Sequence, residues 1–90
     1  MSRRTFTFYC DPGHAWLKVS LALLEELDLV NKVSRYSYRS AEHAYLEEDC
    51  DAGLFIRAWQ ARTGNKPAIK AKISNRESSI RRLARFGGAQ

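Results

Sequence analysis

The chain has 90 residues, of which 44% are hydrophobic and 28% are charged. This length suits one small domain that would bury roughly two-thirds of its unfolded surface, and the composition excludes an intrinsically disordered protein. The sequence contains neither an apolar run long enough for a membrane span nor a signal peptide, so we expect a cytoplasmic protein with no membrane partner. In that reducing compartment the two cysteines, Cys10 and Cys50, should be free thiols.

The charge of the chain is polarised. The net charge is +5; residues 66–90 carry seven Lys or Arg against one acid, which gives +6, whereas residues 1–65 carry eight against nine, which gives −1. The seven basic residues are Lys66, Lys70, Lys72, Arg76, Arg81, Arg82 and Arg85. Such an excess of one sign favours an acidic partner, either a nucleic acid or an acidic protein surface.

Two alternating segments at the start predict a β-hairpin. Residues 4–10 alternate, with the two phenylalanines pointing one way and Tyr9 the other, which is typical of a strand with one buried face. Asp, Pro and Gly within residues 11–14 favour a turn. Residues 16–19 supply the returning strand of this hairpin.

A helix and a second hairpin should follow. Ser20 is a good N-cap residue, and residues 21–28 combine strong helix formers with an apolar stripe at helical spacing. Residues 33–38 alternate and contain residue types that favour strands. Residues 44–47 supply the returning strand.

A second helix is predicted to begin at Asp49 or Asp51 and to end near Arg62. Its end is indicated by Gly64, since glycine readily adopts the positive φ that stops a helix. Its buried face would consist of Leu54, Phe55, Ala58, Trp59 and Ala61.

The last part of the chain predicts one more strand and a basic segment. Residues 68–73 alternate apolar residues with lysines; the lysines should face solvent, which suits an edge strand, and the isoleucines should face the core. Residues 75–90 should form a basic helix, for which Ser74 and Glu77 could provide a capping box. An extended basic tail is the alternative.

The predicted fold is therefore one α+β domain over residues 1–90. Its element order is ββαββαβ, in an antiparallel or mixed sheet with both helices packed on one face, followed by the basic C-terminal segment. An exposed strand edge of such a sheet would also allow a homodimer.

An acidic stretch at residues 45–51 marks the junction between a strand and the second helix. Its acids are Glu47, Glu48, Asp49 and Asp51. We interpret them first as a helix start, because such acids satisfy free N–H groups and complement the helix dipole. The alternatives are a partner-binding surface, with Glu47 and Glu48 as the candidates, and a site for a divalent cation.

Four residues are of the zinc-ligand type, namely Cys10, His14, His43 and Cys50. The first two could form one pair, but the last two are seven residues apart, wider than usual, so we expect no bound metal and no cofactor. Cys50 near a helix start could be a nucleophile with a histidine as its base, although the neighbouring carboxylates oppose a thiolate. No Gly-rich phosphate loop or Gly-x-Ser-x-Gly motif occurs, and we expect no enzymatic activity.

Residues 35–39 interleave arginines with tyrosines. On a strand, Tyr36 and Tyr38 would share one face and Arg35 and Arg39 the other. The tyrosines could stack on bases while C-terminal arginines contact phosphates; the alternatives are core tyrosines and Tyr–Arg anchors of a protein interface. The candidate partner-binding residues are thus Glu47 and Glu48 with Arg35, Tyr36, Tyr38, Arg76, Arg81, Arg82 and Arg85.

Three segments carry a resemblance to known proteins: Cys10–Val19, Val33–Tyr38 and Tyr45–Ala52. They resemble a group of small proteins encoded by phages, plasmids and other mobile elements of Proteobacteria. The resemblance extends over about residues 8–58, with a looser match at 75–81, and provides no catalytic residues to transfer. Mobile-element proteins of this size are often anti-defence factors, including anti-CRISPR proteins, which usually bind a host nuclease or surveillance complex without catalysis.

The resemblance and the polarised charge together predict a non-enzymatic, anti-CRISPR-type interaction protein in the bacterial host cytosol. It would bind a subunit of a bacterial defence complex and occlude a nucleic-acid or subunit site. The acidic stretch would contact the Arg and Lys that normally hold phosphate, and charge complementarity would orient the partners. The first alternative is a nucleic-acid-binding module that uses the basic C-terminal segment, and the second is a small metal- or thiol-dependent enzyme.

Overall fold

Residues 4–86 are described by a computed structural model, in which six strands form one sheet beside two helices. The strands are β1 (Thr5–Cys10), β2 (Ala15–Ser20), β3 (Tyr38–Arg39), β4 (His43–Glu47), β5 (Ala68–Ile73) and β6 (Ala84–Arg85). The helices are α1 (Leu21–Glu26) and α2 (Ala52–Thr63), and 3-10 turns lie at Val30–Lys32 and Ser79–Arg82. The predicted small α+β domain is confirmed. Neither helix within residues 4–86 has the length and apolar character needed to cross a membrane.

The sheet is mixed, with the strand order β5-β1-β2-β4-β3-β6. All neighbouring strands are antiparallel except β1 and β5, which are parallel. β5 therefore covers the outer side of the first strand, and β5 and β6 form the two edges of the sheet.

The main core lies between the helices and one face of the sheet. Because side chains alternate along a strand, Phe6, Leu17 and Leu46 all belong to this core. Leu24 of α1 and Phe55 of α2 join the same cluster, both at 0% exposure, and the Phe6 and Phe55 rings pack edge to face with centroids 5.0 Å apart. Burying each such side chain stabilises the fold by about 1.5–3 kcal/mol.

The ends of the helices follow capping chemistry. The Ser20 hydroxyl accepts a hydrogen bond from the backbone N–H of Leu23 at 3.1 Å, which confirms the predicted N-cap of α1. α2 is followed by Gly64 at a φ of 82°, as predicted. α1 ends before the predicted residue 28, because Asp28 itself has a positive φ of 60° and turns the chain out of the helix.

The prediction that the isoleucines of β5 are core residues is wrong. The strand has the predicted bounds and is an edge strand as expected. However, Ile69 is 38% exposed and Ile73 is 77% exposed, so neither is a core residue. The register aligns them with Phe6 and Cys10 on the helix side of the sheet, but no further strand flanks β5 in residues 4–86.

Up to residue 86, the basic C-terminal segment forms a 3-10 turn and a short strand, and not the helix or the extended tail that the sequence predicts. The 3-10 turn begins at Ser78, whose hydroxyl accepts from the Ile80 N–H at 3.1 Å, so the predicted capping box at residues 74–77 is wrong. Ile80 is 7% exposed and packs on aromatic residues of the sheet, and β6 then pairs with β3. This packing holds the segment against the domain; residues 87–90 lie outside the described residues.

Candidate functional site

The face of the sheet opposite the helices, which we name the open face, presents aromatic and basic side chains. One row crosses the strands from β5 to β6 and consists of Lys70, Thr7, Lys18, Tyr45, Tyr38 and Arg85. The next row consists of Lys72, Tyr9, Trp16 and Glu47. Since strands lie about 4.8 Å apart, the first row spans about 24 Å.

Two aromatic residues of the open face are already covered. Trp16 is 2% exposed, and the Arg81 guanidinium lies 5.3 Å from the centroid of its ring. Tyr38 is 9% exposed, and the Arg85 guanidinium lies 4.8 Å from its ring. These cation–π contacts stabilise the packing of the C-terminal segment, so the two rings serve the fold.

Two other rings pack against this cluster but remain partly accessible, and three lysines lie on the same face of the sheet. Tyr9 and Tyr45 are half-buried, with ring centroids 6.5 Å apart and planes inclined at 58°. Lys18 lies on β2, between the strands that carry the two tyrosines. Lys70 and Lys72 are exposed on the neighbouring edge strand. A flat anionic ligand would therefore meet two rings and three ammonium groups.

An ion pair fixes the C-terminal segment beside the open face. Arg81 Nε and Nη2 donate to the two carboxylate oxygens of Asp11 at 2.8 and 3.0 Å. The same carboxylate accepts hydrogen bonds from the backbone N–H groups of Gly13, His14 and Ser78. The Arg81 guanidinium, helped by these N–H groups, holds the pKa of Asp11 well below its usual range.

The open face is thus suited to a flat, negatively charged ligand. The chain matches no family model, no curated protein and no solved structure. The function is therefore inferred from this face and from the residues that the sequence singles out.

The acidic stretch starts α2 at Asp51, which is one of the two predicted positions. Glu47 is 8% exposed, and its Oε1 accepts from the N–H groups of Asp49 and Cys50 at 2.8 and 2.9 Å. Asp51 occupies the N-cap position of α2, but its side chain makes no capping bond. Glu47 is therefore held in the turn before the helix, and Glu48 is exposed beside it.

Asp51 instead connects two distant segments. It is 2% exposed and accepts hydrogen bonds from the Ser34 N–H at 3.1 Å, the Ser34 hydroxyl at 2.7 Å and the Ser37 hydroxyl. The Ser37 hydroxyl in turn accepts from the Glu47 N–H at 2.9 Å. Sequence reasoning missed this network, because nothing in the local pattern pairs Asp51 with a serine 17 residues away.

Within residues 4–86, neither cysteine belongs to a group of three potential metal ligands. Cys50 is an exposed free thiol, and its hydrogen bond to Glu47, followed by burial and the charges of nearby acids, raises its pKa. A raised pKa opposes the thiolate that a nucleophile requires. Cys10 Sγ instead lies 3.8 Å from the carbonyl oxygen of Phe8.

His14 lies beside the acidic stretch, and not in a set of four zinc ligands. Its Nδ1 is 3.7 Å from Glu47 Oε2. Within residues 4–86, the one group of three potential metal ligands is His14, Glu47 and Glu48, with ligand atoms within 4.8 Å of one another. Because one oxygen of Glu47 already caps the turn, this group offers a single buried carboxylate oxygen and two exposed side chains.

The predicted shared face of Tyr36 and Tyr38 is wrong, because the strand begins only at Tyr38. Tyr36 is 59% exposed and lies in the preceding turn, where its N–H donates to the Ser34 hydroxyl at 3.2 Å. The carbonyl oxygen of Arg35 accepts a hydrogen bond from Arg85 Nη1 at 3.3 Å. The interleaved segment thus forms an exposed turn, and not a strand with an aromatic face.

The candidate arginines of the C-terminal segment differ in their contacts. Arg81 is engaged by Asp11, and Arg85, although exposed, lies against the Tyr38 ring; Arg76 and Arg82 are exposed as well. One sequence signal did indicate the open face: the alternation of β1 places Tyr9 on the side of the strand away from the core phenylalanines. Lys18 lies on the returning strand of the predicted first hairpin, whereas the position of Tyr45 lacked a signal, because the pairing of β4 with β2 is set by non-local contacts.

Proposed function

We propose that the protein binds single-stranded nucleic acid through its open face, without catalysing a reaction. The observation that carries this proposal is the group of Tyr9 and Tyr45 with Lys18, Lys70 and Lys72 on one side of the sheet. Aromatic rings on a sheet stack with unpaired bases, and lysines beside them neutralise the backbone.

Aromatic rings on a sheet face favour single strands over duplexes. The bases of a duplex are stacked on each other and cannot reach Tyr9 and Tyr45, whereas those of a single strand can rotate outward. Stacking contacts are tolerant of sequence, because every base has a flat face. We therefore expect binding with little sequence preference, and weaker binding to a duplex of the same length.

The test uses a fluorescently labelled oligonucleotide and anisotropy. Tyr9→Ala and Tyr45→Ala should each weaken binding by about 1–3 kcal/mol, the usual contribution of one stacked base. Tyr9→Phe and Tyr45→Phe should retain most of the affinity, because phenylalanine keeps the ring.

The matched control is Tyr36→Ala, which removes an exposed tyrosine that lies off the open face. It should leave the affinity unchanged. Absence of binding at low salt, or an equal loss in the Tyr36 variant, would contradict the proposal. Thermal unfolding of each variant separates a binding defect from a folding defect.

The second candidate function is an anti-defence protein of the anti-CRISPR type, which the resemblance implies. The observation that favours it is the exposed turn at Arg35 and Tyr36. Asp51 holds Ser34, and Ser34 in turn holds the N–H of Tyr36, so the tyrosine is presented on a fixed backbone. Tyr and Arg on a preorganised turn are typical interface anchors.

This candidate requires a protein partner in a CRISPR-bearing host. A tagged protein should recover a subunit of the effector complex and reduce interference, and the double variant Arg35→Ala/Tyr36→Ala should lose both effects. Tyr9→Ala should keep both. A pull-down that recovers no effector subunit, with interference intact, would exclude it.

A further inference from the structure

A groove lies on the helix side of the molecule, away from the open face. It has a volume of about 940 Å³, within the range of about 300–1,000 Å³ that is common for small-molecule sites. It is located where the C-terminal ends of α1 and α2 meet the beginnings of β1 and β5.

The floor of the groove is apolar and firmly packed. Leu23 and Leu27 are 5% and 8% exposed, and the half-buried indole of Trp59 lies beside them. The indole packs edge to face on Phe6, with ring centroids 5.2 Å apart, and also contacts Phe55 at 6.0 Å. The floor thus keeps its shape without a ligand, which reduces the entropic cost of binding.

The rim of the groove is positively charged. Arg4, Arg62 and Lys66 lie there with one acid, Glu26, so the side chains carry a net charge of +2. Arg62 Nη2 also donates to the carbonyl oxygen of Glu26 at 3.3 Å, which holds the guanidinium at the mouth. The C-terminal ends of two helices contribute up to about −0.5 each, which leaves a charge of roughly +1.

We propose that this groove binds a small monocarboxylate with an aliphatic body, of the fatty-acid class. A single negative charge matches the charge that remains at the rim, and Arg62 can bind a carboxylate with two parallel hydrogen bonds. The aliphatic chain would lie on Leu23, Leu27 and Trp59.

The first experiment titrates the protein with laurate and follows tryptophan fluorescence. Trp16 is 2% exposed, so the response reports on Trp59. Laurate should give a saturable change, and affinity should fall about fourfold for each methylene removed in decanoate and octanoate. Dodecanol lacks the charge and acetate lacks the chain, so both should bind at least tenfold more weakly.

The second experiment tests the rim directly. Arg62→Ala/Lys66→Ala should weaken laurate binding at least tenfold. The matched control Lys70→Ala/Lys72→Ala removes the same charge from the open face; it should keep laurate binding and weaken oligonucleotide binding. The two proposals therefore stand or fail separately.

The proposal is overturned if laurate gives no saturable response below its micelle concentration. It is also overturned if dodecanol binds as tightly as laurate, or if the rim variant and the control bind laurate equally. The two side chains that the rim variant removes, Arg62 and Lys66, are exposed. Thermal unfolding verifies that each variant folds.

Discussion

At the scale of single residues, two buried carboxylates hold the segments beside the open face and the exposed turn at Arg35 and Tyr36. Asp11 joins the first hairpin to the C-terminal segment, and Asp51 joins the start of α2 to the turn before β3. Both are among the few polar side chains below 9% exposure, and both use their oxygens for hydrogen bonds, as a buried charge must.

We expect Asp11→Asn to destabilise the fold in a pH-dependent way. Because the pKa of Asp11 is lower in the folded state, its ionised form stabilises the fold above the ordinary value of about 3.9, and this contribution is lost as the pH falls through the folded value. The difference from the wild type in urea unfolding should be large at pH 7 and should shrink on acidification. Asp49→Asn, at an exposed carboxylate, should show no such difference; equal pH profiles for both variants would contradict the role of Asp11.

Glu47 and Glu48 allow a direct comparison of a structural and a surface acid. Glu47→Ala removes the acceptor of two N–H groups before α2, so it should lower the free energy of unfolding by about 0.5–2 kcal/mol, as for a lost helix cap. Glu48→Ala should change it by less than about 0.5 kcal/mol. Chemical denaturation measures both values. Equal stability of the two variants would instead favour the partner-binding interpretation for Glu47.

At the scale of elements, the lysines of the edge strand β5 oppose the pairing of two copies through that edge. A two-fold antiparallel pairing of β5 with a second copy would place Lys70 and Lys72 beside the same lysines of the other chain. Like charges directly opposite each other destabilise such a pair, and lysines on an edge commonly prevent this association.

A homodimer through β5 should therefore form only when these charges are screened or removed. Sedimentation velocity should show self-association that increases with salt, and Lys70→Thr/Lys72→Thr should shift the equilibrium toward the dimer. Lys66→Thr, before the strand, is the matched control. A wild-type dimer that dissociates as salt is added would rule out this edge as the interface.

The elements also show where sequence reasoning succeeds and fails. The cap at Ser20, the stop at Gly64 and the bounds of β5 follow from local chemistry, and all three were predictable. The turn before β3 is held by Asp51, and the C-terminal segment is held by Asp11 and by the packing of Ile80. These are contacts between distant residues, which a local pattern does not reveal. The open face was partly predictable, because alternation orients Tyr9, but only the strand order brings it near Tyr45.

At the scale of the whole molecule, the salt dependence of nucleic-acid binding distinguishes specific contacts from net charge. Each lysine that neutralises a phosphate of a single strand contributes about −0.7 to the slope of log K against log salt. With Lys18, Lys70 and Lys72 in contact, the slope should be about −2, and Lys70→Ala/Lys72→Ala should reduce its magnitude by about 1.4. Arg57→Ala/Lys66→Ala removes the same charge elsewhere and should leave the slope unchanged; an equal reduction in both variants would indicate binding by net charge alone.

The parallel pairing of β1 with β5 also has a consequence for the order in which the protein folds. It joins residues 5–10 to residues 68–73, and contacts so distant along the chain slow folding. During synthesis the first hairpin emerges early, but the outer edge of β1 has no partner until residue 73 has left the ribosome. We therefore expect a nascent chain that does not yet expose residues 68–73 to present an unpaired β1 edge to chaperones.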